Sequence, residues 1–280
     1  MSPLIVALDK GLSRIKIIYI TDENVCLEEY PSRNIDVVYN RVKNASRIIA
    51  VENVPMDFLS RFHNAEITRV PELNATSLGA LVLAGIRKGI VASMGTGTAF
   101  LVASMDRNPK HVIGTGVGGG LLEGFSRYLG CKNITEFLDL ASRGNPWNVD
   151  LKVGHIYPNG LPSLPPGTTA SNMALLSKET AAEDIAAGVV RLVGETIGVI
   201  ASLLIREYKV PLILVGGVSR IGDVIKNIAS AIKLFCRNGE VIVPSASSMA
   251  TALGALLFAT EKDKWKSITE MVRSASLITH

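Results

Sequence analysis

The sequence predicts an α/β chain of two lobes, the second repeating the opening of the first. Three observations carry that reading. Short apolar runs alternate with helical stretches from the first residues onward. The segments "IVALDKGLS" (5–13) and "IVASMGTGT" (90–98) each leave an apolar strand for a glycine turn that closes on a hydroxyl, and each leads into a second apolar strand. Four glycine turns, "DKGLS", "GTGT", "GTGVGGG" and "VGGVS", stand at strand ends. The duplication divides the chain into a lobe over 1–88 and a lobe over 89–280, with the last helix free to pack back on the first lobe.

The elements follow in order. "LIVALD" and "IKIIYI" read as strands around a turn and "VCLEEY" as a third; a helical stretch precedes two further strands, "RIIAVEN" and "EITRV". "NATSLGALVLAGI" is helix-like, after which "GIVASMGTGTAFLVASM" and "KHVIGTG" restart the strand pattern. Asn133 with Glu136 marks a helix start before "TEFLDLAS", and the prolines and glycines of "YPNGLPSLPPGTTAS" predict a surface loop. Thr180 and Glu183 have capping-box spacing ahead of a long helix. Along that helix Ile185, Val189, Leu192, Val193, Ile197, Ile200 and Leu204 form one stripe, which covers a sheet or pairs with a second copy. A homodimer through the helix near 181–208 is the expectation. "PLILVGGVSR" is a strand entering a Gly-Gly turn, and "MATALGALLFAT" a small-residue helix.

Composition narrows the function classes. With 280 residues the chain can bury about three quarters of its unfolded surface. It is 48% hydrophobic and 19% charged, yet the apolar run "IGVIASLLI" is bounded by charge well short of the ~20 residues that span a bilayer, so no membrane segment is expected. "MSPLIVALD" lacks a basic leader. Cys26, Cys131 and Cys236 lie far apart, as free thiols of a reducing compartment would, which points to the cytoplasm. The four histidines make no metal motif. A dispersed net charge of +4 with 5% aromatics argues against nucleic acid.

Glycine turns expose backbone N–H groups that can hold a phosphate chain, because no side chain stands in the way. Four of them together favour a nucleotide cleft between the lobes, with Gly11, Ser13, Gly95, Thr96, Gly97 and Thr98 at the phosphates. There is no G-x-x-x-x-G-K-[ST] P-loop, and the spacing does not fit a dinucleotide fingerprint. Asp9, at the end of the first strand, suits magnesium beside a triphosphate. It would equally cap a turn.

These residues match a known family. "ALDKGLSRIKIIYI", "PELNATSLGA", "MGTGTAFLV", "HVIGTGVGGGLLEG", "DLKVGHIY", "TASNMA" and "LVGGVSR" occur in family order from about residue 4 to 220, and the chain resembles the type II pantothenate kinases. "DLKVGHIY" is the most specific segment. The resemblance implies a two-lobed actin-like ATPase (ribonuclease H-like) fold with a duplicated βββαβα core, as in acetate and sugar kinases and heat-shock ATPases. It implies phosphorylation of pantothenate by ATP with Mg2+, the first step toward coenzyme A, and coenzyme A or its acyl thioesters as feedback ligands. Glu72 would be the general base that takes the alcohol proton; read by itself, it is an acid at a helix N-terminus. Lys16 would approach the phosphates, although by spacing alone it is the solvent side of a strand. Gly118, Gly119 and Gly120 match the triple glycine beside the nucleotide, and Gly216 with Gly217 the later glycine turn.

Three positions depart from the family pattern. His111 stands where an arginine commonly contacts pantothenate, and Ala99 where a serine closes the "GTGT" turn. Arginine carries a permanent forked charge; histidine has at most two donors and a charge that depends on pH. With Thr96, these residues mark the acceptor pocket, and they leave pantetheine, which lacks a carboxylate, as the alternative acceptor. Leu12 replaces a usual glycine in "DKGLS". Two other readings on the same fold are an ATPase activator of a radical dehydratase, which needs cluster-binding cysteines, and a nucleotide-binding relative without turnover.

Overall fold

A computed structural model describes residues 4–20 and 24–280; residues 1–3, part of the segment read for a leader, lie outside them. The first lobe runs β1 (Ile5–Lys10), β2 (Arg14–Ile20), β3 (Val25–Pro31), α1 (Ile35–Val42), β4 (Arg47–Val51), α2 (Met56–Leu59), β5 (Glu66–Val70) and α3 (Glu72–Ala84). The second begins with β6 (Lys88–Met94), β7 (Thr98–Ser104) and β8 (Arg107–Thr115). It continues through α4 (Gly119–Tyr128), α5 (Ile134–Arg143), β9 (Leu151–Lys152), α6 (Val153–Ile156), β10 (Thr169–Ser171) and α7 (Ala182–Tyr208). It closes with β11 (Leu212–Val215), α8 (Gly222–Phe235), β12 (Val241–Ile242) and α9 (Ala250–Phe258). The chain then returns: α10 (Trp265–Ser274) leads to β13 (Leu277–Thr279), which pairs parallel with β3 of the first sheet.

The first sheet has the order β13-β3-β2-β1-β4-β5 and the second β12-β11-β6-β7-β8. Without β13, each is an antiparallel meander of three strands extended by two parallel strands beside the first of them. Both strands that open a lobe therefore lie at the middle of their sheets. The likeness of "IVALDKGLS" to "IVASMGTGT" is a likeness of position as well as of letters.

Alternation along the strands assigns the layers. On β1, Val6 and Leu8 enter an outer core with Val38, Val42 and Phe58, while Ala7 faces inward. On β6, Ile90 and Ala92 join the outer core under α7, and Val91 faces inward. Between the two inner faces lie α3 and α9, which contribute Ala75, Ala80, Leu81, Ala252, Leu253 and Leu256 to one continuous core. Their small residues are required. A Cβ on Gly79 would stand 1.8 Å from the Ala250 carbonyl oxygen, and one on Gly254 1.7 Å from that of Ala75.

α7 corrects two expectations. Its N-cap is Ala181 with no side-chain cap, because the Thr180 hydroxyl instead accepts from the Ser177 N–H (2.9 Å). In place of a capping box, the Asp184 carboxylate in the first turn accepts from the Asn145 N–H at 2.7 Å. The helix is also long and apolar enough by composition to cross a membrane, with a mean hydropathy of 1.8, which the nine-residue reading of "IGVIASLLI" missed. It serves here as a core helix. Val189, Val193, Ile197 and Leu204 are buried against the second sheet and α8, so most of the apolar stripe is covered within the chain, while Ile185, Leu192 and Ile200 are partly exposed. The Asn133 start is as read: its Oδ1 accepts from the Glu136 N–H at 2.9 Å, and Glu136 Oε2 accepts from the Lys132 N–H at 2.7 Å. The loop over 157–171 is not wholly irregular, since β10 pairs with β9.

Candidate active site

Asp9 and Lys16 are cross-strand partners on the inner face of the first sheet, and Lys16 in turn faces Glu29 on β3. Paired positions share a face, so three charged side chains form one row across β1, β2 and β3. Lys16 Nζ stands 3.6 Å from Asp9 Oδ2. Asp9 is 5% exposed, and its other oxygen accepts from Asn53 Nδ2 at 3.0 Å, while Asn53 Oδ1 accepts from the Lys10 N–H at 3.3 Å. The carboxylate is therefore held in one orientation.

Pro71 turns the chain from β5 into α3, whose first residue is Glu72. Burial raises the Glu72 carboxyl above the usual range, the Asp9 and Glu52 carboxylates add to the rise, and Lys16 opposes it. The residue as a whole remains open to water, so solvent limits how far burial alone can act. The structure thus brings Glu72, Asp9 and Lys16, far apart in sequence, into one electrostatic neighbourhood.

Next to that row lies a cavity of about 370 Å³ between the lobes. Gly11, Ser13 and Lys16 of the first lobe and Gly95, Thr96, Gly119 and Gly217 of the second line it. The remaining predicted residues, Asp9, Glu72, Gly97, Thr98, Ala99, His111, Gly118, Gly120 and Gly216, are not among its lining. Sequence reasoning missed the cavity's apolar wall, Leu122, Ile134, Leu138, Val218 and Ile221, and its charged groups, Arg14, Glu29, Glu123 and Arg220. The i, i+4 pair Ile134 and Leu138 was readable as a helix face, but nothing in sequence says which cavity a face adjoins.

The glycine turns differ from the expectation that they present bare amides to a ligand. Gly119 N–H donates to Gly95 O and Gly120 N–H to Thr96 O, both at 2.8 Å. A Cβ on Gly118 would lie 2.8 Å from Gly97 C and from Thr96 O. At Gly216, φ is +95° and an added Cβ would stand 2.5 Å from Met94 O. These glycines stack one turn directly on another. Thr98 is 3% exposed and its hydroxyl donates to Val117 O at 2.8 Å, so it fixes the second turn from behind. Thr96 stays open on the cavity, and Ser13 Oγ donates across the cleft to Glu123 Oε2 at 3.2 Å. Leu12 is 83% exposed and does not crowd its turn.

His111 pairs with Leu101 on β7, whose side chain belongs to the inner core with α3. Ala99, two residues before Leu101, shares that face. Lys110 pairs with Val102 and faces the other way. The His111 and Ala99 departures from the family pattern thus lie on the side of the second sheet that α3 covers. The "DLKVGHIY" segment has a structural role of its own. Asp150 is fully buried, accepts from the Met173 N–H at 2.8 Å and lies 3.6 Å from Arg191 Nε. Burial pushes its carboxyl up while the Met173 N–H and Arg191 pull it down. The Arg191 guanidinium stacks on Trp147 at 3.5 Å.

The family model described as Fumble matches residues 89–257, more than half of the chain. The chain belongs to the Fumble family, that of the type II pantothenate kinases. Among Fumble relatives, a "Type II pantothenate kinase" of Staphylococcus epidermidis is 35% identical over 160 residues, covering 52% of this chain and 58% of its own length. One from Staphylococcus aureus is 28% identical over 226 residues, covering 73% of this chain and 80% of its own length. "Pantothenate kinase 1" of Oryza sativa is 36% identical over 120 residues, covering 40% of this chain and 18% of that protein. The chain thus spans little more than half of the first of these relatives. Among solved structures, (R)-2-hydroxyglutaryl-CoA dehydratase component A of Acidaminococcus fermentans covers 95% of this chain and 99% of its own at TM-score 0.59 and 16% identity. A ROK hexokinase from Thermus thermophilus covers 91% and 97% at TM-score 0.52 and 13% identity. At such identities the likeness shows the fold, the two-lobed actin-like ATPase architecture.

Proposed function

We propose that this chain transfers the γ-phosphoryl group of ATP to the primary hydroxyl of pantothenate, giving 4'-phosphopantothenate. The observation that carries the reading is the convergence of Glu72 and Asp9 on Lys16, which itself lines an interlobe cavity, in a Fumble-family chain. Glu72, raised by burial and by its carboxylate neighbours, is suited to accept the alcohol proton as the phosphoryl group arrives. Lys16 and Arg14 supply positive charge on the phosphate side; the open Thr96 hydroxyl supplies a donor, as does that of Ser13 once it leaves Glu123. The apolar wall of Leu122, Ile134, Leu138, Val218 and Ile221 suits a base.

The donor set also fits a divalent cation. Among the described residues no group of three or more His, Cys, Asp or Glu side chains surrounds a common point, so the protein offers no cage. Asp9 offers one buried, oriented carboxylate, and magnesium is commonly held by one or two carboxylates together with substrate phosphates. Asp9 would hold the ion, which would neutralise charge on the phosphates. The reading places the protein in the cytoplasm with its substrates.

A second acceptor has its own support. His111 and Ala99 lie on the α3-facing side of the second sheet, where the family pattern has arginine and serine, and without a fixed guanidinium the pocket loses a partner for the pantothenate carboxylate. Pantetheine needs none. A homodimer would rest on surface outside the buried α7 stripe, where Val199 and Leu203 are exposed, and is checked by sedimentation. The test of function is ADP release with magnesium and ATP, comparing pantothenate with pantetheine, and wild type with Glu72→Gln. Pantothenate turnover that falls about 10²-fold or more in Glu72→Gln is the expected result. Turnover with pantetheine alone transfers the assignment to that acceptor, and silence with both rejects it.

A further inference from the structure

The charges lining the interlobe cavity nearly cancel, three positive against two negative. Arg14, Lys16 and Arg220 are positive; Glu29 and Glu123 are negative, and Asp9 stands behind Lys16. Lys16 is paired with Asp9 at 3.6 Å, and Arg220 Nη1 with Glu29 Oε2 at 2.8 Å across the lobes. Arg14 and Glu123 have no ion-pair partner among the described residues. A lining with one positive charge in excess, and Asp9 behind its lysine, offers little to the several negative charges of a triphosphate.

Glu123 makes this worse at a particular place. It extends from α4 just after the triple glycine, and its Oε2 accepts the Ser13 hydroxyl at 3.2 Å. Ser13 is on the first glycine turn, the group placed to donate to a phosphate oxygen. An oxygen accepting from that hydroxyl would sit within two hydrogen-bond lengths of the carboxylate, about 6 Å. A phosphate oxygen and Glu123 compete for one donor and repel each other. A cation carried on the phosphates removes most of that repulsion and gives the carboxylate a favourable partner, directly or through its water shell.

We propose that Glu123 makes nucleotide binding in this cleft depend on a divalent cation, by holding the Ser13 hydroxyl and repelling a metal-free triphosphate. The inference rests on the nucleotide half of the proposed function and is independent of the acceptor. A residue that acts this way is a selector of the nucleotide's charge state, and it needs no contact with the reacting atoms.

The test is equilibrium binding of a non-hydrolysable ATP analogue to the purified chain by calorimetry, in magnesium and in chelator. In Glu123→Gln the metal-free affinity rises about tenfold, the effect of removing one like charge at that range, while affinity in magnesium changes less than about threefold. The ratio of the two affinities therefore shrinks. Glu123→Asp keeps the ratio, and Ser13→Ala, which removes the donor and leaves the charge, weakens binding in both buffers and keeps it too. A Glu123→Gln ratio equal to that of wild type overturns the proposal, as does a larger one. A local packing defect would lower both affinities together and leave the ratio unmoved. A wild type that binds no nucleotide in either buffer refutes the kinase reading, and this inference with it.

Discussion

Replacing Gly254 with alanine tests whether contact between α3 and α9 holds the lobes and the helix that begins at Glu72 in place. A methyl group there would lie 1.7 Å from the Ala75 carbonyl oxygen, where an ordinary carbon–oxygen approach is about 3.3 Å or more. The helices must separate by roughly 1.5 Å, and neither obstacle is a flexible side chain. Overpacking of this kind costs about 1–3 kcal/mol, here toward the upper end, and alanine's better helix propensity returns about 1 kcal/mol. Shifting two helices that both contribute to the central core also loosens contacts around Leu81, Leu253 and Leu256. The expected net loss is about 2–3 kcal/mol, a sizeable part of a typical domain's stability. Gly124 on α4 supplies the control, because an added Cβ there meets nothing within 4 Å. Gly124→Ala should gain up to about 1 kcal/mol. Urea denaturation of both variants reads the two signs directly. Since α3 begins at Glu72, Gly254→Ala should also lose phosphoryl transfer beyond what its folded fraction explains. A Gly254→Ala protein as stable as wild type, or a loss of similar size in Gly124→Ala, would refute the packing argument.

Three further outcomes follow from the same geometry. The Glu52 carboxylate helps hold Glu72 up, so Glu52→Gln should move the acid limb of the kcat/KM profile to lower pH, read from rates across the acidic range. Asn53→Leu removes the donor that orients Asp9 and should lower phosphoryl transfer roughly tenfold or more, with circular dichroism reporting an intact fold. On the outer face of the first sheet, burial raises the Glu28 carboxyl, but Arg41, Tyr19 and Tyr30 outweigh it and hold the group below the usual range. A depressed folded value stabilises above the ordinary carboxylate range and is lost as pH falls through that depressed value. Arg41→Met should therefore cost about 1–2 kcal/mol near neutrality, discounted for the half-exposed arginine, and progressively less in acid, as denaturant midpoints across pH will show.

Much of the fold was legible because strand alternation is a local signal. Val6, Ala7 and Leu8 divide between two cores by position alone, and the same rule at Ile90, Val91 and Ala92 yields the second sheet. The α7 stripe was legible as well, but not what covers it, since covering a sheet and pairing with another copy require the same apolar spacing. Thr180 shows the limit for caps. Its spacing to Glu183 was right, yet the hydroxyl is taken by the Ser177 N–H, a choice made by the turn before it. The return of β13 to β3 depends on where α10 leaves the chain, which no short pattern records.

The glycine turns carry the same lesson into the site. Bare backbone implied ligand contact, and at Gly118, Gly119, Gly120 and Gly216 it allows turn to pack on turn at distances a Cβ would forbid. Selectivity in the cleft then falls to the side chains those stacked turns bring together. Arg14 and Lys16 come from the strand after the first turn, Glu123 from the helix after the third, and Arg220 from the segment after the last. Each is an ordinary surface charge by sequence, because polar contacts across 110 to 191 residues, the Ser13–Glu123 hydrogen bond and the Glu29–Arg220 ion pair, leave no local trace. A glycine pattern can therefore mark where a cleft is built, while its charge, and hence which form of a nucleotide it accepts, is set by residues that become neighbours only when both lobes have folded.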